Sequence, residues 1–310
     1  ANRLFGLEFT PLDVPLYHPD ARAWEVTRGG EHIAVFIGDY FARGSKHSGA
    51  WCMAMRSQRR LGADIRPIVV NVCNFAKPPQ NAPALLSYDD ARTLFHEFGH
   101  ALHSLSSKVA YPTLNGGVRD YTEFQSQLLE RWLTTDKVID QFLVHYQTGE
   151  PMPAELVEKI KTAATFNEGF KTTEYLASAL MDMKFHTVDP TGIDPQKFEA
   201  ETLAALHMPK EIPMRHRTTQ FGHIFSGEGY SAGYYGYMWS EVLTADASEA
   251  FAEAPGGFYD KDVARKLVDH LFSVRNAVDP ADAYPLFRGN EASIAPLMRD
   301  RGFPVPEGVK

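Results

Sequence analysis

The chain of 310 residues contains few of the features that would place it in a disulfide-bonded, nucleic-acid-binding or membrane-spanning class. Cys52 and Cys73 are its two cysteines, too few for a disulfide framework, so a reducing compartment is expected. Its formal net charge is −8, and no basic stripe is present that could neutralise phosphates. Apolar runs are too short to span a bilayer, and no signal peptide is visible. We therefore predict a cytoplasmic protein, with the periplasm as the alternative, and neither nucleic acid nor membrane as a partner.

What the chain does contain is a short β-rich segment followed by a long helical one. Alternating or β-branched residues predict strands at residues 7–10, 33–37 and 68–72. From about residue 84 the apolar residues recur at helical spacing almost to the end. Pro153 is expected to open a helix that is interrupted near Gly169. The sequence thus predicts a mainly α (α+β) fold with a small β-sheet near the N-terminus.

The most informative helix carries the pattern His-Glu-x-x-His at positions 96–100. Residues four apart lie on one face of a helix, so His96 and His100 can bind one metal ion. Zinc is the first choice, because two histidines and a carboxylate with one open position form a common catalytic zinc set. Glu97 is then placed to accept a proton from the attacking water. His103 could share this face, and we interpret it as an outer or packing residue.

A zinc site of this kind needs a third protein ligand. Downstream, Phe124, Leu128 and Trp132 form an apolar stripe that predicts a second helix, and acidic residues line a neighbouring face. An antiparallel packing of the two helices could offer Glu123 or Glu130 to the metal. The geometry of the sequence alone does not choose between them.

A second stretch, residues 223–239, combines tyrosines with glycines and is not typical of a helix at its start. Gly227, Gly229 and Gly233 indicate a loop whose backbone approaches another group closely. Tyrosine hydroxyls can donate to a developing oxyanion. Taken alone, the stretch is better explained as an aromatic packing turn.

These segments together resemble the thimet oligopeptidase (M3) family of zinc metallopeptidases. The resemblance rests on residues 95–103 (FHEFGHALH), 119–127 (RDYTEFQSQ) and the Gly-Tyr-x-Ala-x-Tyr-Tyr-x-Tyr pattern at residues 229–237. Residues 71–75 (NVCNF), Lys77-Pro78 and residues 83–86 (PALL) are similar to the peptidyl-dipeptidase branch of bacteria. Two departures are present: the family usually has proline where Gln125 stands, and the segment before Asp120 is slightly short.

The resemblance implies roles for individual residues. It makes Glu123 the third ligand, beside His96 and His100, of one Zn²⁺ per chain. Tyr230 and Tyr237 would then face the substrate, and we expect the Tyr237 hydroxyl to lie nearer to the metal than that of Tyr230. The same match gives His223 a part in binding or transition-state stabilisation, and makes Tyr234 a weaker candidate.

The resemblance also implies a zincin-like catalytic domain spanning 1–310, with a sheet region over 1–80 and a helical region with the zinc site over 81–310. The implied reaction is zinc-dependent hydrolysis of short unstructured peptides, with release of C-terminal dipeptides. Release of dipeptides needs a cation that captures the carboxyl terminus, for which Lys77, Arg215 and Arg217 are candidates. An endo-acting oligopeptidase and an inactive metal- or peptide-binding fragment are the alternatives. Family members are longer than this chain, so a missing N-terminal portion of the same protein is an expected partner.

Overall fold

We describe residues 1–308 of the protein from a computed structural model. Five strands occupy the first quarter of the chain and form one sheet. They are β1 (Leu7–Leu12), β2 (Arg22–Arg28), β3 (Glu31–Phe41), β4 (Trp51–Arg56) and β5 (Ile68–Phe75). Their order is β1-β2-β3-β5-β4; β3 and β5 run parallel, and the other neighbouring pairs are antiparallel. The predicted strands are confirmed within β1, β3 and β5, whereas β2 and β4 were missed.

The helices follow the sheet, apart from a single turn at the start of the chain. In chain order they are α1 (Asn2–Phe5), α2 (Tyr88–Ser106), α3 (Phe124–Glu130), α4 (Asp136–Phe142), α5 (Ala154–Ala163), α6 (Glu168–Phe185), α7 (Pro195–Ala205), α8 (Gly222–Phe225), α9 (Gly236–Ala252), α10 (Lys261–Leu267), α11 (Pro280–Arg288) and α12 (Ala295–Asp300). A π-helical turn, Val268–Phe272, extends α10. The mainly α fold class with an N-terminal sheet is therefore confirmed.

Helix α2 is the central element, because it packs against the sheet on one side and against α3 on the other. Ser87 caps its N-terminus: the Ser87 side chain accepts from the Asp90 backbone, and the Asp90 side chain accepts from that of Ser87. Phe98 lies against the sheet, with its ring 5.4 Å from that of Phe36. Leu102, one turn further along α2, shares the main core with Phe124 of α3.

The break predicted near Gly169 is confirmed, because α5 ends at Ala163 and α6 begins at Glu168. Asn167, just before α6, adopts a left-handed conformation with φ of 57°. Helix α5 has no buried residue. Large apolar side chains at its end and in α6 remain exposed, among them Phe166 at 70% and Phe170 at 43%.

Neither a helix suited to crossing a bilayer nor a disulfide bond occurs within residues 1–308. Cys52 lies in β4 and Cys73 lies buried in β5. Burial raises the pKa of the Cys73 thiol to about 12. Both thiols are therefore held in their neutral form.

Candidate active site and metal centre

Helix α2 places two imidazoles side by side above the start of α3. The ring centroids of His96 and His100 are 5.1 Å apart. Both Nε2 atoms face one oxygen of Glu123: its Oε2 lies 3.2 Å from that of His96 and 3.3 Å from that of His100. The three side chains offer ligand atoms that lie within 4.8 Å of one another. This convergence is the donor set that a tetrahedral zinc site uses.

A glycine sets the separation between α2 and the segment that carries Glu123. A Cβ atom on Gly99 would lie 2.4 Å from the carbonyl oxygen of Gln125 and 2.6 Å from the Cα of Ser126. The two backbones can approach this closely only because residue 99 has no side chain. Gly99 follows Phe98 within the motif, so the His-Glu-Phe-Gly-His sequence encodes both the imidazoles and the contact that brings Glu123 to them.

Glu123 is buried and fully engaged. The Ser126 hydroxyl donates to its Oε2 at 3.0 Å, and the Tyr230 hydroxyl donates to its Oε1. Burial alone would raise the pKa of Glu123, but its hydrogen bonds with His100 and His96 outweigh burial and hold that pKa well below its usual range. Glu123 is therefore a carboxylate at neutral pH, as a metal ligand must be.

Glu130, the other acidic residue considered from the sequence, lies on the outer side of His96. The His96 Nδ1–H group donates to Glu130 Oε1 at 2.6 Å, and Arg92 Nε donates to Glu130 Oε2 at 2.5 Å. Burial lowers the pKa of His96, but its bonds with Glu123 and Glu130 prevail and raise it to about 10. A carboxylate at the outer nitrogen fixes the tautomer and orientation of a metal-binding histidine. The structure thus places Glu123 at the Nε2 atoms of both histidines, whereas Glu130 lies at the Nδ1 atom of His96.

The outer nitrogen of His100 faces an amide instead of a carboxylate. Gln125 Nε2 lies 3.2 Å from His100 Nδ1 and also donates to the carbonyl oxygen of Thr122 at 2.6 Å. The Gln125 side chain is buried, and its Oε1 has no hydrogen-bond partner within the part of the chain that the structure describes.

Glu97 lies next to this cluster with an unused carboxylate oxygen. The residue is 4% exposed, and its Oε2 is buried without a partner among residues 1–308. Burial raises the pKa of Glu97, although the two imidazoles counteract the shift. A buried, unpaired carboxylate beside three converging donor atoms fits a centre that holds a metal ion and a reactive water.

His103, by contrast, is a packing residue. It is buried on α2, its ring centroid lies 5.6 Å from that of Phe272, and burial holds its pKa well below the ordinary value. A neutral imidazole in the core needs no metal. This agrees with its interpretation as a residue outside the ligand set.

Helix α8, the loop that follows it and the first turn of α9 bring three aromatic candidates, His223, Tyr230 and Tyr237, to the cluster. The rings of Tyr230 and Tyr237 are stacked, with centroids 5.4 Å apart and planes 7° apart. The Tyr237 hydroxyl lies 3.0 Å from His223 Nε2. The sequence led us to expect the Tyr237 hydroxyl nearest to the metal. The structure instead places that of Tyr230 on Glu123, because the loop folds back over α3, and Tyr237 reaches the cluster through Tyr230 and His223.

The second half of this loop is anchored by groups that sequence reasoning missed. Asp182 of α6 is fully buried and accepts from the backbone N–H groups of Ala232 at 3.0 Å and Tyr234 at 2.9 Å. The Tyr175 hydroxyl donates to the carbonyl oxygen of Tyr234 at 2.6 Å. Tyr234 itself is buried in the cluster around Phe221, so its side chain packs beneath the loop.

Arg92 was also missed, although it precedes His96 by four residues on α2 and therefore lies on the same face. It borders a cleft of about 820 Å³ that is also lined by Tyr237, Tyr175 and Arg215. Of the cations considered for capturing a carboxyl terminus, Lys77 pairs with Asp20 and Arg217 pairs with Glu199. Arg215 forms no ion pair with any other described residue.

The chain is similar to curated peptidases. It is 41% identical to the dipeptidyl carboxypeptidase of Salmonella typhimurium over 309 residues, which cover 97% of this chain and 45% of that protein. It is 32% identical to oligopeptidase A of Escherichia coli over 313 residues, again covering 97% of this chain and 45% of the relative. The chain therefore spans about half the length of the curated relatives that it matches.

A solved structure described as "The Structure of CHT" has a similar fold, with a TM-score of 0.52 at 11% identity. The match covers 85% of this chain and 54% of that one. The profile of Peptidase family M3 matches residues 1–303, a range that includes the His-Glu-x-x-His helix, Glu123 and the tyrosine loop. On this evidence the chain belongs to peptidase family M3.

Proposed function

We propose that this chain is a catalytic portion of a zinc-dependent peptidase that hydrolyses peptide bonds in short unstructured peptides. One observation carries the proposal: the Nε2 atoms of His96 and His100 converge on Glu123 beside the unpaired carboxylate of Glu97. In a chain that belongs to a peptidase family, this set of groups supports metal-assisted hydrolysis.

His96, His100 and Glu123 would hold one zinc ion. When bound, zinc supplies Lewis acidity, which lowers the pKa of a coordinated water and polarises a peptide carbonyl. Glu97 accepts the proton of the attacking water and later delivers it to the leaving amine. Its burial supports this role, because a raised pKa brings the carboxylate closer in basicity to the groups with which it exchanges the proton.

Tyr237 and His223 are proposed to stabilise the oxyanion that develops on the carbonyl. Burial raises the pKa of the Tyr237 hydroxyl and lowers that of the His223 imidazole. Both groups therefore remain neutral at pH 7 and can donate a hydrogen bond without first changing their charge state. Tyr230 joins the stack against Glu123 and is proposed to contact the substrate from the same side.

The sheet offers a place for an extended peptide. Strand β4 lies at the edge of the sheet and packs against α2. An edge strand can bind a peptide through main-chain hydrogen bonds, which makes binding tolerant of side-chain sequence. This supports short unfolded peptides as the substrate class.

Release of C-terminal dipeptides is the proposed mode of cleavage. The relative with 41% identity is a dipeptidyl carboxypeptidase. Arg215 is the remaining candidate for binding the substrate carboxylate, because it borders the cleft next to Tyr237 while Lys77 and Arg217 are already paired. The relative named oligopeptidase A supports the second candidate function, internal cleavage by an oligopeptidase.

The expected partner, a further portion of the same protein, also stays a prediction. Exposed apolar side chains of α5 and the start of α6, including Leu156, Phe166 and Phe170, would be covered by such a portion. The single-domain organisation and the cytoplasmic location stay predictions as well.

The test combines metal analysis with product analysis. We expect one zinc per chain in a sample never exposed to chelator, and dipeptides from a peptide with a free carboxyl terminus. The same peptide with a C-terminal amide should resist a dipeptidase but be cut internally by an oligopeptidase. Absence of stoichiometric zinc would refute the proposal, and zinc binding without cleavage of either peptide would favour an inactive fragment.

A further inference from the structure

The helix that carries Tyr237 begins without a capping side chain of its own. Helix α9 starts at Gly236, and Tyr235, the residue before it, makes no capping hydrogen bond. The Tyr235 hydroxyl donates to Asp120 instead. The first N–H groups of a helix have no acceptor inside the helix, so a start without a cap is weakly held. Tyr237 is the second residue of α9 and therefore lies in the turn that most needs support.

The Tyr175 hydroxyl supplies this support from helix α6. It accepts from the Met238 N–H group at 3.1 Å and donates to the Tyr234 carbonyl oxygen at 2.6 Å. A tyrosine hydroxyl can donate and accept at the same time, so it can make both bonds at once. Met238 is the third residue of α9, and the N–H group at this position is one that an N-cap side chain binds. Tyr175 thus takes the place of the missing N-cap.

The same hydroxyl lies between a donor and an acceptor that are four residues apart. In a regular α-helix the Met238 N–H group would donate directly to the Tyr234 carbonyl oxygen. The inserted hydroxyl keeps these two groups apart, and Tyr237 is one of the three residues between them. The Tyr237 ring lies against those of Tyr230 and Tyr234, at centroid distances of 5.4 and 5.3 Å. A change in the spacing that Tyr175 maintains would therefore displace the Tyr237 ring from this stack.

We propose that Tyr175 is a positioning residue of the active site: by capping α9 it holds the Tyr237 hydroxyl where the substrate oxyanion develops. It acts through the backbone of Tyr234 and Met238 and needs no contact with the substrate. Asp182, two turns later on the same helix, holds the preceding part of the loop through two backbone N–H groups. Helix α6 therefore fixes the loop and the start of α9 together. This inference rests on the proposed role of Tyr237.

The experiment is a double-mutant cycle, in which kcat and KM are measured for Tyr175→Phe, Tyr237→Phe and the double variant. Tyr175→Phe removes only the hydroxyl and keeps the ring that stacks on Tyr234. It should lower kcat about tenfold to a hundredfold, because misplacement by about 1 Å can cost a hundredfold, and leave KM within about threefold. In the Tyr237→Phe background the same change should cost less than about threefold, since the hydroxyl that it positions is already gone.

Tyr284→Phe is the matched control. The Tyr284 hydroxyl is also bonded to α9, with the Leu243 carbonyl oxygen at 3.0 Å and an Asp246 carboxylate oxygen at 2.9 Å. Both of these partners lie further along the helix than Tyr237. The control should lower the urea midpoint, because it loses a buried hydrogen bond, but keep kcat within about threefold of the unmodified chain.

NMR of tyrosine-labelled protein without substrate gives a readout that does not depend on turnover. The ring signals of Tyr237 should move in Tyr175→Phe, because the ring leaves its stack on Tyr230, and stay in place in Tyr284→Phe. Unchanged kcat, a rise in KM instead of a fall in kcat, a loss that persists in full in the Tyr237→Phe background, or unmoved ring signals would overturn the inference. If Tyr237→Phe itself leaves kcat unchanged, the proposed role of Tyr237 fails, and the ring signals still decide whether Tyr175 positions it.

Discussion

Substituting Gly99 tests the contact that spaces the proposed metal ligands. In Gly99→Ala the new methyl group would lie 2.4 Å from Gln125 O and 2.6 Å from the Cα of Ser126. Both atoms belong to the backbone, so neither can swing away as a side chain would. Ordinary contact starts near 3.4 Å, and the start of α3 must therefore retreat by roughly 1 Å in a core that packs like an organic crystal.

Two energies follow from that displacement. Overpacking of this kind costs about 1–3 kcal/mol, from which the better helix propensity of alanine recovers up to about 1 kcal/mol. The retreat also carries Glu123 away from the Nε2 atoms that it now faces at 3.2 and 3.3 Å. Misplacement of a catalytic group by about 1 Å can cost about a hundredfold in rate. We therefore expect a modest loss of stability and a much larger loss of zinc affinity and turnover.

The assay is urea unfolding, zinc titration and kcat/KM on a fluorogenic peptide, with Gly169→Ala as the matched control. Gly169 is exposed in the first turn of α6, and a Cβ atom there would meet nothing within 4 Å. That variant should be as active as the unmodified chain and slightly more stable, by up to about 1 kcal/mol. If Gly99→Ala behaves like Gly169→Ala in all three measurements, the close approach of the two backbones does not set the geometry of the site.

Three further predictions concern the site itself. Glu97→Gln should retain zinc and lose roughly a hundredfold to ten-thousandfold in kcat, and near-full activity of the variant would show that another group activates the water. In the unmodified enzyme, activity should fall as the pH drops through the pKa of Glu97, which burial raises above the ordinary 4.5. Glu130→Gln should weaken zinc affinity roughly tenfold to a hundredfold, and Glu123→Gln should weaken it far more. The reverse order in a chelator competition would reassign the third ligand. Tyr237→Phe should lower kcat by about a hundredfold to a thousandfold with little change in KM, and an unchanged kcat would show that the Tyr237 hydroxyl does not stabilise the oxyanion. Tyr230→Phe should also alter zinc affinity, because it loses the bond to Glu123.

The helix that carries the histidines could be predicted because local signals agreed there. Ser87 and Asp90 mark its start, and the apolar residues that follow keep a helical period that faces the core. The edge strand β4 could not be predicted in the same way. Its Met53 and Met55 are half exposed, and it lacks the run of β-branched residues from which β3 and β5 were recognised.

The choice between Glu123 and Glu130 depended on where one short helix begins. Helix α3 starts at Phe124, which leaves Glu123 at its N-terminal boundary with φ of −96° and its carboxylate turned toward α2. Seven residues later Glu130 ends the same helix and faces the outer side of His96. Helical periodicity alone does not separate the two carboxylates, and the resemblance to the M3 family is what selected Glu123. The close packing at Gly99 is the physical reason that the Glu123 carboxylate reaches both Nε2 atoms.

The order of the two tyrosines was beyond sequence reasoning for a different reason. The path of the loop is fixed by Asp182, which lies 50 residues before Ala232 in the chain. Nothing local to the tyrosine segment reveals that contact. The available signal was Asp182 itself, which stands between two methionines in the last turn of α6, because a carboxylate in a core requires donors from elsewhere.

The bonds from Asp182 to the tyrosine loop also bear on the entropy of substrate binding. Ordering the backbone of one residue costs about 1–2 kcal/mol. Around Ala232 and Tyr234 that cost is met during folding, because their N–H groups are already bound to Asp182. The earlier half of the loop, around Gly227 and Gly229, has open space where side chains would be. If the proposed function holds, the segment anchored by Asp182 adds no further ordering cost when a peptide binds, so less of the binding free energy is spent on organising the enzyme.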